Sequence, residues 1–136
     1  MIESKKRVLF LCTHNSARSQ MAEGLLRTLY GSHYEAYSAG INPTNLNPYA
    51  VEVMKEIGID ISSHRSKNIE EFQGMNFDYV VTVCDYAKEA CPFFPGKKLH
   101  KGFEDPAGFQ GTIEETLEVF RHTRDEIKQW IENTFI

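Results

Sequence analysis

Cysteine is scarce in this sequence of 136 residues, with three in all: Cys12, Cys84 and Cys91. An odd count in a reducing compartment does not suggest a static disulfide framework. It leaves inert core thiols, metal ligands or redox chemistry to be weighed. Long apolar runs are also lacking. The run at residues 8–11 follows a polar, charged start and is far too short for a signal-peptide core or a membrane span. We therefore expect a cytoplasmic protein without a membrane partner. An excess of positive charge is missing as well: 15 Lys and Arg face 19 Asp and Glu, a net charge of −4. That balance argues against a nucleic-acid partner, although a locally positive site can still take a small anion. Repeats, low-complexity tracts and linkers are absent, so residues 1–136 are expected to form one domain, read here as a monomer. A domain near this size buries about two-thirds of its unfolded surface, and 41% apolar residues supply a core without staples.

The pattern present is an alternation of strands and helices. Residues 7–12 (RVLFLC) read as a strand buried on both faces. Residues 16–30 carry Ala17, Met21, Leu25, Leu26 and Leu29 at near-helical spacing and end at Gly31. A short strand is expected at residues 34–38 and a turn-rich connection at 42–47. Asn47 and Pro48 then read as an N-cap and first-turn proline of a helix reaching Ile57. Residues 59–67 are irregular and 77–83 (FDYVVTV) form a strand. A short helix stopped by Pro92 is expected over residues 86–91, a short strand over 98–103 and a loop over 104–110. Residues 112–134 form a long helix with Thr112 and Glu115 as a capping box. The order predicts a three-layer α/β domain around a parallel sheet.

The segment Cys12-Thr13-His14-Asn15-Ser16-Ala17-Arg18-Ser19 places a cysteine at a strand end, then five residues, an arginine and a helix. A loop closing onto a helix N-terminus aims backbone N–H groups inward, and these donors with the helix dipole bind an anion. Arg18 can add a planar clamp. The same surroundings favour the thiolate, the nucleophilic form of a cysteine. Ser19 can hydrogen-bond that thiolate, and Asn15 can hold the loop through side-chain bonds to backbone. The bare spacing alone also fits a buried cysteine and a surface arginine. Asp105, before Pro106, reads by itself as a turn former. Cys84 and Cys91, taken as a pair, read as structural thiols. If the residues between them were helical, their Cα atoms would lie about 10 Å apart. A disulfide needs roughly 4.4–6.8 Å, so joining them requires the segment to unwind.

CTHNSARS followed by QMAEG resembles the phosphate loop of the low-molecular-weight tyrosine phosphatase fold. YSAGI, NPYAVEVMKEIGIDIS, VVTVCDYAKEACP, GFEDPAG and RDEI resemble one branch of that family, the thioredoxin-coupled arsenate reductases. The likeness runs from about Val8 to Ile127. It implies a four-stranded parallel sheet flanked by helices. It implies an oxyanion, arsenate or phosphate-like, bound by Thr13, His14, Asn15, Ser16, Ala17, Arg18 and Ser19. It further implies Cys12 as nucleophile, Asp105 as general acid, and Cys84 and Cys91 as a redox shuttle emptied by thioredoxin. No metal or organic cofactor is expected.

Other readings remain. A phosphatase acting on phosphotyrosine or a related ester through a Cys12 phosphoenzyme would use the same loop and acid, although Ala107 and Gly108 stand where phosphatases carry tyrosines. A non-catalytic arsenite binder would use the three thiols. Some relatives bind potassium at positions matching Asn15, Glu23, Arg65 and Lys67. Arg65 and Lys67 offer no side-chain oxygen, so no potassium site is expected, and the Lys67 ammonium is expected to pair with Glu23. His14 stands where relatives often have glycine and is expected to face solvent. Ala17 replaces a cysteine found in some relatives. His33, His64, His100 and His122 have no ligand-like spacing and read as structural or surface residues.

Overall fold

A computed structural model describes residues 4–85, 87 and 96–135. β1 (Lys6–Cys12) is exposed only at its first two residues and buried from Val8 onward, because it lies inside the sheet. It pairs in parallel with β2 (Tyr34–Gly40) on one side and β3 (Tyr79–Thr82) on the other. β4 (Lys97–His100) adds in parallel to β3, giving the order β2-β1-β3-β4. This is the four-stranded parallel α/β sheet that the sequence implied.

Side chains alternate across the sheet. Val8 and Phe10 share a face with their partners Ala36 and Ser38. α1 (Arg18–Tyr30) covers that face, along with α3 (Ile113–Thr134) and the Phe135 ring that follows α3. Phe135 meets Phe10, Tyr34 and Tyr79 edge-on. α2 (Pro48–Glu56) packs beside α3. Buried Arg124 of α3 donates to the Val53 carbonyl (2.8 Å) and to Glu56 (3.0 Å), placing a cation on the last turn of α2. On the opposite face Tyr37 meets Phe72 and Phe77. Phe72 belongs to a 3-10 turn at Ile69–Phe72 that the sequence pattern did not foretell.

The expected caps are present. The Asn47 side chain accepts from the N–H groups of Tyr49 and Ala50. Thr112 and Glu115 form the reciprocal capping box. Several boundaries differ, among them β4, expected over residues 98–103 and found at Lys97–His100. α1 begins at Arg18 rather than Ser16, because Ser16 and Ala17 belong to the loop before it. β2 runs on to Gly40, because β1 pairs with it through Cys12. β3 is shorter than residues 77–83. Gly31 ends α1 in a right-handed conformation (φ −63°), so the helix stops without a left-handed turn. Apart from Ala87, the short helix expected over residues 86–91, Cys91 included, lies outside the described residues.

Thr112→Ala removes the acceptor for the Glu115 N–H and should lower the unfolding free energy by about 1 kcal/mol, read as a shift in the urea midpoint at unchanged slope.

Candidate active site

All six backbone carbonyls from Cys12 to Ala17 are hydrogen-bonded. The segment after β2 runs alongside the loop and supplies four of the donors. Ile41 N–H donates to Cys12 O (3.2 Å), Asn42 to Thr13 O (2.7 Å), Thr44 to His14 O (3.1 Å) and Asn47 to Ser16 O (2.9 Å). Asn15 O accepts from Ser66 Oγ (2.8 Å) and Gln20 Nε2 (3.1 Å), and Ala17 O from Met21 N–H. With the carbonyls taken up, the N–H groups of the loop are left for its concave side. Ala17, at the N-cap of α1, has no side-chain cap, so the helix N-terminus is also available to an anion.

The loop turns at Asn15, which has φ +51° and is fully buried. Among non-glycine residues asparagine enters this left-handed conformation most readily, and its surroundings fix it there. Here Asn15 Oδ1 accepts from the Lys67 backbone N–H (2.9 Å) and from Gln20 Nε2 (2.9 Å). Gly40 allows the close approach, since a Cβ there would stand 2.9 Å from both Asn15 N and Thr13 O.

These bonds set the direction of the donors around Cys12. Because Asn15 Oδ1 faces N–H donors, its Nδ2 donates to Ser19 Oγ (2.8 Å). The Ser19 hydrogen is then free for Cys12 Sγ, 2.9 Å away. The Asn15 N–H adds a second donor to that sulfur (3.2 Å). The polarity is the same from the far end. Arg27 has only donors, so His64 Nε2 accepts from it (3.0 Å), and His64 Nδ1 donates to Gln20 Oε1 (3.0 Å). Gln20 therefore aims its amide hydrogens at Asn15. Gln20, His64 and Ser66 are functional neighbours that sequence reasoning missed. They reach the loop through packing rather than through any spacing within it.

The Lys67–Glu23 pairing expected from the sequence is present, at 3.8 Å, with Lys67 Nζ also donating to Arg65 O (2.9 Å). Glu23 is buried and further held by Ser38 and Arg27. Burial pushes the Lys67 ammonium and the His64 imidazole below their ordinary pKa values, with Glu23 opposing both shifts.

Arg18 donates through Nη1 to Phe103 O (3.0 Å), and its Nη2 lies 3.6 Å from Asp105 Oδ2. Asp105 also accepts from the Ala107 N–H and caps a 3-10 turn at Pro106–Gly108. Cys12, His14, Ser16, Ala17, Arg18, Asp105 and Ala107 line a cavity of about 30 Å³. A groove of about 790 Å³ adjoins the acid loop, lined by Glu104, Asp105, Phe109, Glu118 and His122 among others. That groove is acidic and has no thiol, so of the two the smaller cavity is the one suited to an anion. His14 does not simply face solvent, because its Nδ1 is 3.0 Å from the Asn42 carbonyl and staples the loop to the segment beside it. Cys84, just past β3, is buried, with its sulfur 3.3 Å from Thr13 Oγ1 and 3.4 Å from the Ala87 N–H. Adjacent parallel strands thus deliver two thiols to one end of the sheet. Cys91 lies outside the described residues.

As pH falls through about 6.5, an unfolded chain takes up a proton on His64 that the folded chain resists, so folding stability should fall. In His64→Asn, whose amide can still donate to Gln20 but does not titrate, the loss of melting temperature between pH 7.5 and 5.5 should be smaller.

The low molecular weight phosphotyrosine protein phosphatase model matches residues 7–135. An arsenate reductase of Halalkalibacterium halodurans is 50% identical over 126 residues, 91% of each chain. The solved structure of an arsenate reductase in the phosphate-binding state superposes with a TM-score of 0.82 at 36% identity, covering 94% of this chain and 95% of that one. The thioredoxin-dependent arsenate reductase of Corynebacterium glutamicum superposes at 0.69 with 31% identity, covering 98% of this chain and 65% of that one. The strand, the anion-cradling loop and the helix behind it are therefore those of a known lineage: this chain belongs to the low molecular weight phosphotyrosine protein phosphatase family.

Proposed function

We propose that the protein is an arsenate reductase that draws its electrons from thioredoxin. The observation that carries this reading is Cys84, buried with its sulfur against Thr13 of the loop that begins at Cys12. Hydrolysis of a phosphate ester needs only the first thiol, whereas reduction needs a second one close by. The 50% identity to a named arsenate reductase supports the same choice.

Arsenate would occupy the cradle of residues 12–19, held by loop N–H groups and by Arg18 N–H groups not engaged by Phe103. Cys12 attacks arsenic while Asp105 gives its proton to the departing oxygen, which leaves as water. Cys84 then attacks Cys12 Sγ. The sulfur–arsenic electron pair passes to arsenic, arsenite leaves, and a Cys12–Cys84 disulfide remains. Cys91 attacks Cys84, restoring the Cys12 thiolate and forming a Cys84–Cys91 disulfide that the thioredoxin dithiol reduces. The route calls on no metal or organic cofactor. We place it in a cytoplasmic monomer folded as one domain, and no described helix is long and apolar enough to cross a membrane. The family likeness favours a residual second activity, hydrolysis of phosphotyrosine or a related phospho-substrate through a Cys12 phosphoenzyme.

Two measurements test the scheme. With arsenate, thioredoxin, thioredoxin reductase and NADPH, Cys12→Ser should lose both reduction and phosphatase turnover. Cys84→Ser should lose reduction alone; reduction that persists in Cys84→Ser removes the relay. Because the Lys67 ammonium already sits against Glu23 and the Arg65 carbonyl, rates in sodium and potassium buffers of equal ionic strength should agree. A potassium requirement would overturn that assignment.

A further inference from the structure

We infer that His100 and Asp85 are positioning residues that hold Cys84 against the oxyanion loop. The inference rests on the arsenate reductase reading. The contacts of the Cys84 sulfur given above, Thr13 Oγ1 and the Ala87 N–H, hold only while the turn that begins at Cys84 stays in place. Asp85 is the next residue in that turn, and its Oδ1 is 3.0 Å from His100 Nε2. A carboxylate only accepts, so His100 Nε2 carries the hydrogen and donates. The other ring nitrogen, Nδ1, lies 2.8 Å from Thr82 Oγ1. Thr82 and His100 are partners in the β3–β4 ladder. The imidazole is thus held by the rigid sheet at one nitrogen and holds the Cys84 turn at the other.

The backbone makes room for this bridge. A Cβ at Gly102 would stand 3.2 Å from Asp85 Oδ1 and 3.6 Å from His100 Nε2. On either side of Gly102, Lys101 N–H donates to Thr82 O and Phe103 N–H to Val83 O, so the strand bearing His100 follows β3 to the residue before Cys84. The Asp85 side chain is 90% exposed and that of His100 26%. Such a pair adds little to global stability. It suits a thiol that must first be aimed at Cys12 and later leave, because a stronger lock would oppose the second motion.

The test uses a Cys91→Ser background, in which the relay halts at the Cys12–Cys84 disulfide. After arsenate is added, loss of free thiols gives the rate of that single step. His100→Phe and Asp85→Ala should each slow it about fivefold, near the ceiling for an exposed side-chain pair. Hydrolysis of p-nitrophenyl phosphate and the affinity for inorganic phosphate should stay at the parent values. His100→Gln, whose amide can still donate to Asp85, should restore much of the rate. An unchanged disulfide rate, or a phosphatase loss that matches the reductase loss, overturns the proposal. If the parent forms no arsenate-dependent disulfide, the reductase reading itself fails. Iodoacetamide labelling of Cys84 in Cys12→Ser, Cys91→Ser protein then decides about the pair: faster labelling in His100→Phe supports it, and an equal rate overturns it.

Discussion

A peptide loop becomes an anion site only if its carbonyl oxygens are turned away, since each carries negative charge as strong as the positive end of its N–H. Between Cys12 and Ala17 this is achieved by giving each carbonyl its own donor. The donors come from the chain beside the loop, from Ser66 and Gln20, and from the first turn of α1. Asn15 pays the conformational cost of the reversal with a left-handed backbone, fixed by its buried side chain. Gly40 keeps the neighbouring strand low enough for the loop to lie across it. The loop is in this sense an assembly of three segments distant in sequence: residues 12–21, 40–47 and 66–67.

The same bonds give the site a direction. A donor chain that begins at the Arg27 guanidinium passes through His64, Gln20, Asn15 and Ser19 and ends on the Cys12 sulfur. Each amide and imidazole has one orientation compatible with its neighbours, because the guanidinium at the far end and the Lys67 N–H in the middle can only donate. Beneath it lies Glu23, a buried carboxylate whose desolvation is offset by Arg27, Ser38 and the Lys67 ammonium. Breaking one partner there would leave a buried charge exposed to its own desolvation penalty, so this cluster ties loop geometry to the stability of the helix–sheet interface.

The groups around the loop are tied together by the short stretch that begins at the last residue of β4. Within six residues it presents His100 to Asp85 beside Cys84, the Phe103 carbonyl to Arg18, and the Asp105 carboxylate to the same guanidinium. One backbone segment thereby touches the Cys84 turn, the Arg18 guanidinium and, through Asp105, the mouth of the same loop. Parallel strand order explains why it can: β4 follows β3 in the sheet, and β3 leads directly to Cys84.

Periodicity and caps were enough to place the elements. The buried run at residues 8–12, the Asn47-Pro48 start and the Thr112–Glu115 box are local signals with local causes, and they appear in the folded chain as the sequence implied. The loop from Cys12 to Ser19 was legible for the same reason, since its donors and its helix are contiguous. The boundary of α1 was not, because Ser16 and Ala17 have helical composition but are drawn into the loop by Asn47 and by the Cys12 turn. Gln20, His64, Ser66 and the His100–Asp85 bridge had no signature in spacing. Gln20 bonds Asn15 within its own segment, but Gln20 to His64, Ser66 to Asn15 and His100 to Asp85 span 44, 51 and 15 residues, and a hydrogen bond depends on distance in space, which only the packed sheet and helices determine. The sequence by itself thus determined the architecture and marked the candidate groups, because those signals are local; the tertiary structure decided which way each donor points, because hydrogen bonds join segments far apart along the chain.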